Sequence, residues 1–133
     1  MRARAAAVII KNDSVLLIHR NNEGKQYYVL PGGGIEAGEE PLQACIREVK
    51  EELGIEVKNA RVFFEYQNGD DPNYFFLIDE YHGKPTIGDF PKQSETNIYE
   101  IEWVDIQDIL TVPLFPEVLK EKIANLNLLV ADQ

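Results

Sequence analysis

The sequence lacks most of what would staple, anchor or steer a protein from outside its own core. It has one cysteine, Cys45, so no internal disulfide can form. That suits a reducing compartment. No apolar stretch approaches the length needed to cross a bilayer. The run Ala5-Ala6-Ala7-Val8-Ile9-Ile10 is cut short by Lys11-Asn12-Asp13, which leaves too little for a signal-peptide core. These absences lead to the expectation of a cytoplasmic protein with no membrane partner. Basic residues are scarce and unclustered: 13 Lys and Arg stand against 23 Asp and Glu, a formal net charge of −10. Such a balance argues against steering toward nucleic acid or an anionic membrane. An acidic protein still binds a polyphosphate where a bound cation inverts the local charge. The two histidines, His19 and His82, are isolated and have no ligand spacing. No repeat, low-complexity tract or linker interrupts the chain, so 1–133 is expected to be a single domain with its own core.

What is present reads as a mixed α/β protein. Arg4 to Ile10 and Ser14 to His19 are β-rich runs joined by a turn at Lys11-Asn12-Asp13. Asn21 to Gly24 reads as a loop, and Tyr27 to Leu30 as a short strand halted by Pro31-Gly32-Gly33-Gly34. Glu39-Glu40-Pro41 has the form of a helix start, with the helix running to about Leu53 and Gly54 in the C-terminal glycine position. Ile55 to Tyr66 and Asn73 to His82 read as strands around a turn at Gln67 to Pro72. A further strand at Ile98 to Val104 and two short helices, near Ile106 to Leu110 and Pro116 to Asn125, complete the chain.

The long helix carries the chemistry. With Glu48 set at 0° and about 100° per residue, Glu51 lies near 300° and Glu52 near 40°. Cys45, Val49, Leu42, Leu53 and Ile46 span about 60° to 160° and form the apolar stripe. The three carboxylates therefore border that stripe. Like charges at this spacing repel, and partial burial aggravates the conflict. A hard divalent cation such as Mg²⁺, which takes oxygen ligands, would resolve it. The alternative is a solvated acidic face, the ordinary fate of a charge run. Ahead of the helix, Gly32-Gly33-Gly34 permits unusual backbone angles and close approach. No Gly-Lys-Ser/Thr follows, so this is not a P-loop. Gly32-x-Gly34-x-x-Ala37 fits a dinucleotide fingerprint only loosely, and no second βαβ unit accompanies it.

Taken together, the loop and helix give Gly33-x5-Glu39-x7-Arg47-Glu48-Val49-x-Glu51-Glu52-x-Gly54-Ile55. This resembles the Nudix box, the signature of the Nudix hydrolases, at every specified position. Seven fixed identities would coincide by chance on the order of 10⁻⁸ per start position. The resemblance implies a Nudix-type α/β/α sandwich with a mixed sheet and a loop-helix-loop catalytic motif. It implies hydrolysis of a diphosphate linkage in a small nucleotide, a pyrophosphatase chemistry using Mg²⁺ or Mn²⁺. Carried over by position, Glu51 and Glu52 are metal ligands. Glu48 is a ligand or the base that activates water. The Gly32 carbonyl is a further ligand. Arg47, counted with the catalytic set, orients the glutamates through a pair with Glu39, while Gly33, Glu39 and Gly54 support the site. One alternative, from another class, is a non-catalytic Nudix-fold nucleotide-binding or regulatory module; another is an enzyme of capped RNA. Retention of all the box acids weighs against the first, and the missing basic patch against the second.

Outside the box, the resemblance implies one more acid from the later chain, for which Glu95, Glu100 and Glu102 are the candidates, with exposed strand glutamates the plain reading of each. Arg20 stands where the family often has a basic residue near the phosphates. Tyr28, beside Tyr27, is a candidate for contact with a substrate base, although a strand tyrosine often packs inward. Pro72 and Tyr74 lie where the family carries substrate-class markers, but Asp70-Asp71-Pro72 also reads as a turn. The interleaved aromatics from Phe63 to Phe76 read as hairpin pairs, with a homodimer surface as another use. Cys45, on the stripe, reads as an inert core thiol.

Overall fold

A computed structural model of the protein describes residues 2–88, 90 and 93–131, with side chains through 126. The chain divides into two compact units, each built from two stretches of chain: Met1–Ile9 with Pro31–Phe90, and Ile10–Leu30 with Pro91–Gln133. Among the described residues, no helix is long and apolar enough to cross a membrane.

In the first unit, β1 (Arg4–Lys11) contributes its residues up to Ile9, and β4 (Gly32–Gly34), α1 (Pro41–Leu53), β5 (Glu56–Asn68) and β6 (Asp71–His82) follow. The sheet order is β4-β1-β6-β5. β1 runs parallel to β6, with Ala5 opposite Tyr74 and Ile9 opposite Ile78. It is antiparallel to β4, with Ala5 opposite Gly33. The sheet is therefore mixed, and the protein is α/β as expected. The triple glycine is not the loop read from the sequence. It is a strand, because pairing with β1 satisfies its backbone groups and no side chain keeps its neighbours away. The β5–β6 hairpin turns at Gly69-Asp70 alone, with Gly69 at φ 65°. Gln67 and Pro72 face each other inside the ladder, so Pro72 is a strand residue rather than a turn residue.

In the second unit, β2 (Ser14–Asn22) lies between β3 (Lys25–Val29) and β7 (Asn97–Asp105), antiparallel to both. Ile10 and Lys11 of β1 pair with Val15 and Ser14 across a turn in which Asn12 and Asp13 both take positive φ. Such a two-residue turn matches strand twist, and Asn and Asp tolerate it best after glycine. Asn21 and Asn22, expected in a loop, pair with Gln26 and Lys25 instead. Val15, Leu16, Leu17 and Ile18 are all buried, so β2 is covered on both faces. The core continues through Ile106 and Ile109 of a 3₁₀ helix (Ile106–Thr111) and Leu119 and Ile123 of α2 (Val118–Ala131). Asp105 caps the 3₁₀ helix by accepting from the Gln107 N–H at 2.9 Å.

α1 matches its sequence limits. Pro41 occupies the first turn, where its missing N–H is harmless. Gln43 accepts the Glu40 N–H at 2.9 Å. Gly54, at φ 71°, ends the helix in the left-handed region and donates to the Lys50 carbonyl. The buried residues of α1 are Ala44, Cys45, Val49, Glu52 and Leu53. Leu42, assigned to the stripe from periodicity, is 36% exposed in the first turn. The two leucines should therefore respond differently to truncation. Leu53→Ala is expected to lower the urea unfolding free energy by about 2–5 kcal/mol, and Leu42→Ala to change it by no more than about 0.5 kcal/mol.

Candidate metal centre

The buried face of α1 is wider than its apolar stripe. Ala44 lies near 320° and Leu53 near 140°, so the middle of the buried arc falls near 50°, close to Glu52. The acids do not merely border the packed face. Glu52 is within it, only 9% exposed, and the Glu48 side chain is 17% exposed. Glu51, at 52%, faces outward.

Each glutamate has a defined partner. Glu52 Oε1 accepts the Gly32 backbone N–H at 2.8 Å. Burial pushes its carboxyl up to about 8, and the charges of Glu48 and Glu51 add to that rise. The Gly32 hydrogen bond and the Arg4 charge act the other way. Gly33 explains why β4 needs glycine. A Cβ there would lie 2.5 Å from the Glu48 carboxyl carbon, and one at Gly32 would collide with the backbone of Ala5 and Ala6. The glycines serve close approach between β1, β4 and α1. Gly32 meets Glu52 through its N–H, whereas the family pattern draws on its carbonyl.

Arg47 binds more than a helix-surface pair would. Its Nε and Nη2 donate to Glu39 Oε2 and Oε1 at 2.8 and 3.0 Å, a two-pronged fork. Nη2 also donates to the Gly34 carbonyl at 3.0 Å and Nη1 to Glu48 Oε1 at 2.9 Å. Glu51 and Glu36 lie 3.5 and 3.7 Å from Nη1. Glu39 in turn accepts the Glu36 N–H at 3.0 Å. The fork holds the Glu39 carboxyl down at about 2, and Glu39 first, then Glu48, raises the guanidinium further. The Arg47–Glu39 pair read from the sequence is present, and it ties the glycine strand to two of the three helix acids.

The described oxygens are carboxylates and backbone carbonyls, a donor chemistry that suits Mg²⁺ or Mn²⁺ rather than a soft metal. As the side chains stand, no three acids among the described residues converge into a cation cage. Glu48 and Glu51 turn toward Arg47 while Glu52 turns toward Gly32.

The remaining candidates lie in the second unit. The Tyr28 hydroxyl donates to Glu102 Oε2 at 2.7 Å, and burial with this contact raises the phenol to about 12. His19 stacks on Tyr28 at 4.7 Å and comes within 3.7 Å of Glu102. No local pattern singles out His19; its link to Glu102 arises only from pairing of β2 with β7. Arg20 is held between Tyr99 and Tyr27, its guanidinium 3.9 and 5.3 Å from their rings, and it donates to Asn97 Oδ1 at 2.8 Å. Glu100 sits opposite His19 in the ladder, and Glu95 is exposed outside β7. Phe64 stacks on Phe75 across the hairpin and on Tyr66 along its own strand. Cys45 is fully buried, with its thiol pushed up to about 12.

An acid-bearing helix locked to a glycine strand defines a class of site, and known proteins identify the family. The model of the NUDIX domain matches residues 1–126, and the chain belongs to the Nudix family. It is 37% identical over 95 residues to an ADP-ribose pyrophosphatase of Methanocaldococcus jannaschii, covering 66% of this chain and 56% of that protein. It is 36% identical over 90 residues to an 8-oxo-dGTP diphosphatase of Haemophilus influenzae, covering 62% and 66%. The chain thus spans between about half and two thirds of these relatives. Among solved structures, one from a study of MutT of Aliivibrio salmonicida and Vibrio cholerae superposes with a TM-score of 0.76 at 28% identity, covering 93% of this chain and 98% of that one.

The raised Glu52 carboxyl has a measurable consequence. Its folded value lies above the ordinary 4.5, so between about pH 4.5 and 8 the folded protein keeps a proton that the unfolded chain releases. Stability therefore falls as pH rises through this window, and the full penalty is present above it. In chelator-treated protein the thermal midpoint should decline from about pH 5 to 8, and Glu52→Gln should flatten that decline. Equal slopes in both proteins would count against the assignment.

Proposed function

We propose that the protein is a Nudix-type pyrophosphohydrolase that cleaves a diphosphate linkage in a small nucleotide by attack of water at phosphorus. The substrate is a nucleoside triphosphate or a nucleoside diphosphate joined to another moiety. The observation that carries this reading is the buried Glu52 carboxylate, fixed on Gly32, with Glu48 and Glu51 within one helical turn of it. Burying an acid beside two others is costly unless a cation shares the site. Glu48, Glu51, Glu52 and the Gly32 carbonyl are the groups that would hold Mg²⁺ or Mn²⁺. When bound, such an ion neutralises phosphate oxygens and lowers the pKa of a water.

The chain's own groups supply positioning and proton transfer. Arg47 holds one Glu48 oxygen and leaves the other for a ligand or for the proton of the attacking water. Its fork on Glu39 and its bond to Gly34 keep the helix and β4 in register, the kind of support on which a metal site depends. Gly33 and Gly54 serve that support by close approach and by ending α1. The relatives named as an ADP-ribose pyrophosphatase and an 8-oxo-dGTP diphosphatase share a diphosphate linkage in a nucleotide, which supports the bond type over any one substrate. The match to residues 1–126 supports reading the whole chain as one functional domain. We read it as cytoplasmic, and as acting on small nucleotides rather than on nucleic acid.

The test is a Mg²⁺-dependent assay over nucleoside triphosphates, ADP-sugars and dinucleoside polyphosphates, with product identification. Glu52→Gln is expected to lower turnover of any accepted substrate by about 10²-fold or more, as loss of a ligand to the catalytic metal would. Retained activity would remove Glu52 from the mechanism, and binding without turnover would favour a nucleotide-binding module. Gly33→Ala should keep the fold, judged by circular dichroism. It should still lose activity, because the new methyl displaces the Glu48 carboxyl.

A further inference from the structure

We infer that Gly88, well outside the signature segment, is a positioning residue for the acid cluster. This rests on the metal-site reading above, but its evidence is separate. The last four carbonyls of a helix have no partner within it. In α1 these belong to Lys50, Glu51, Glu52 and Leu53. The Lys50 carbonyl is taken by Gly54 at 2.9 Å. Two of the others are taken by a segment more than thirty residues further along: Thr86 N–H donates to the Leu53 carbonyl at 3.0 Å, and Gly88 N–H donates to the Glu52 carbonyl at 2.7 Å.

Gly88 comes close enough to donate only because it has no side chain. A Cβ there would lie 2.5 Å from the Glu51 carbonyl oxygen and 3.1 Å from that of Glu52. Both obstacles are backbone atoms, which cannot swing aside as a side-chain tip can. Ordinary carbon–oxygen contact begins near 3.3 Å, so a methyl would force a displacement of roughly 1 Å. Metal-binding groups work within about 0.5 Å of their productive geometry. The residues whose backbone would move are Glu51 and Glu52. The close fit at Gly88 therefore fixes the stems of two ligands from behind, while Gly32 fixes the Glu52 tip from the front.

The experiment compares Mn²⁺ binding by calorimetry and by electron paramagnetic resonance in the full chain and two variants. Gly88→Ala is expected to bind Mn²⁺ about tenfold more weakly, the loss typical of a support to a metal ligand. Its metal requirement for activity should rise, with kcat at saturating metal largely recovered. Gly24→Ala is the control, because Gly24 has φ +87° and nothing within 4 Å. It suffers backbone strain away from α1 and should bind Mn²⁺ as wild type does. Wild-type affinity in Gly88→Ala, or an equal loss in Gly24→Ala at a matched drop in Tm, would overturn the inference. Should Gly88→Ala fail to fold, wild-type amide exchange decides. Saturating Mg²⁺ should slow exchange at Gly88 and Thr86 several-fold, because coupling between the clamp and the metal is reciprocal. Unchanged exchange at both amides refutes it. Failure of wild type to bind Mn²⁺ at all would instead overturn the functional reading and, with it, any metal role for Gly88.

Discussion

The contact between the Glu52 carboxylate and the Gly32 N–H joins the helix that carries the acids to the strand that faces them. It requires β4 to lie close to α1, and that closeness requires glycine. A methyl at Gly33 would occupy the space of the Glu48 carboxyl, and one at Gly32 would meet β1. The close packing that allows this contact buries Glu52, and that burial raises its pKa against the opposing pull of the Gly32 hydrogen bond, with Glu48 and Glu51 adding to the rise. The glycines thus matter for what they leave out, and only secondarily for the backbone angles they allow.

Arg47 offsets part of the charge that this arrangement concentrates. A lysine in its place could meet one or two acceptors as a point charge, but the planar guanidinium reaches Glu39 twice, Glu48 and the Gly34 carbonyl at once. One side chain thereby links the start of the signature segment to its middle. The same logic extends to the far end of α1, where Thr86 and Gly88 take carbonyls that the helix leaves open. The acids are held at their tips by Gly32 and Arg47 and at their backbone by residues 86–88, which is the rigidity that a metal site demands.

In the second unit the candidate residues are related to one another in ways that the sequence does not show. Tyr28 and Glu102 were candidates for separate tasks, yet they bond to each other, with His19 stacked alongside. Arg20, a candidate phosphate contact, is enclosed by Tyr27 and Tyr99 and bonded to Asn97. These associations depend on β2 pairing with both β3 and β7, and strand partners distant in sequence leave no local signal.

The sequence alone determined α1 and its limits. A helix is a local structure, so Pro41, Gly54 and the 3.6-residue period suffice to mark it. The signature segment was legible because its residues lie within two dozen positions of one another. Periodicity placed the acids beside the apolar stripe but overvalued Leu42 and undervalued Ala44, because hydrophobicity does not say which neighbour covers a residue. Only the tertiary structure decided that the triple glycine is a strand, that Glu52 is inside the buried face, and that Gly88 lies under the helix end. Each of those depends on the approach of backbone to backbone across a long stretch of chain. A glycine at such a contact looks, in the sequence, no different from a glycine in a turn.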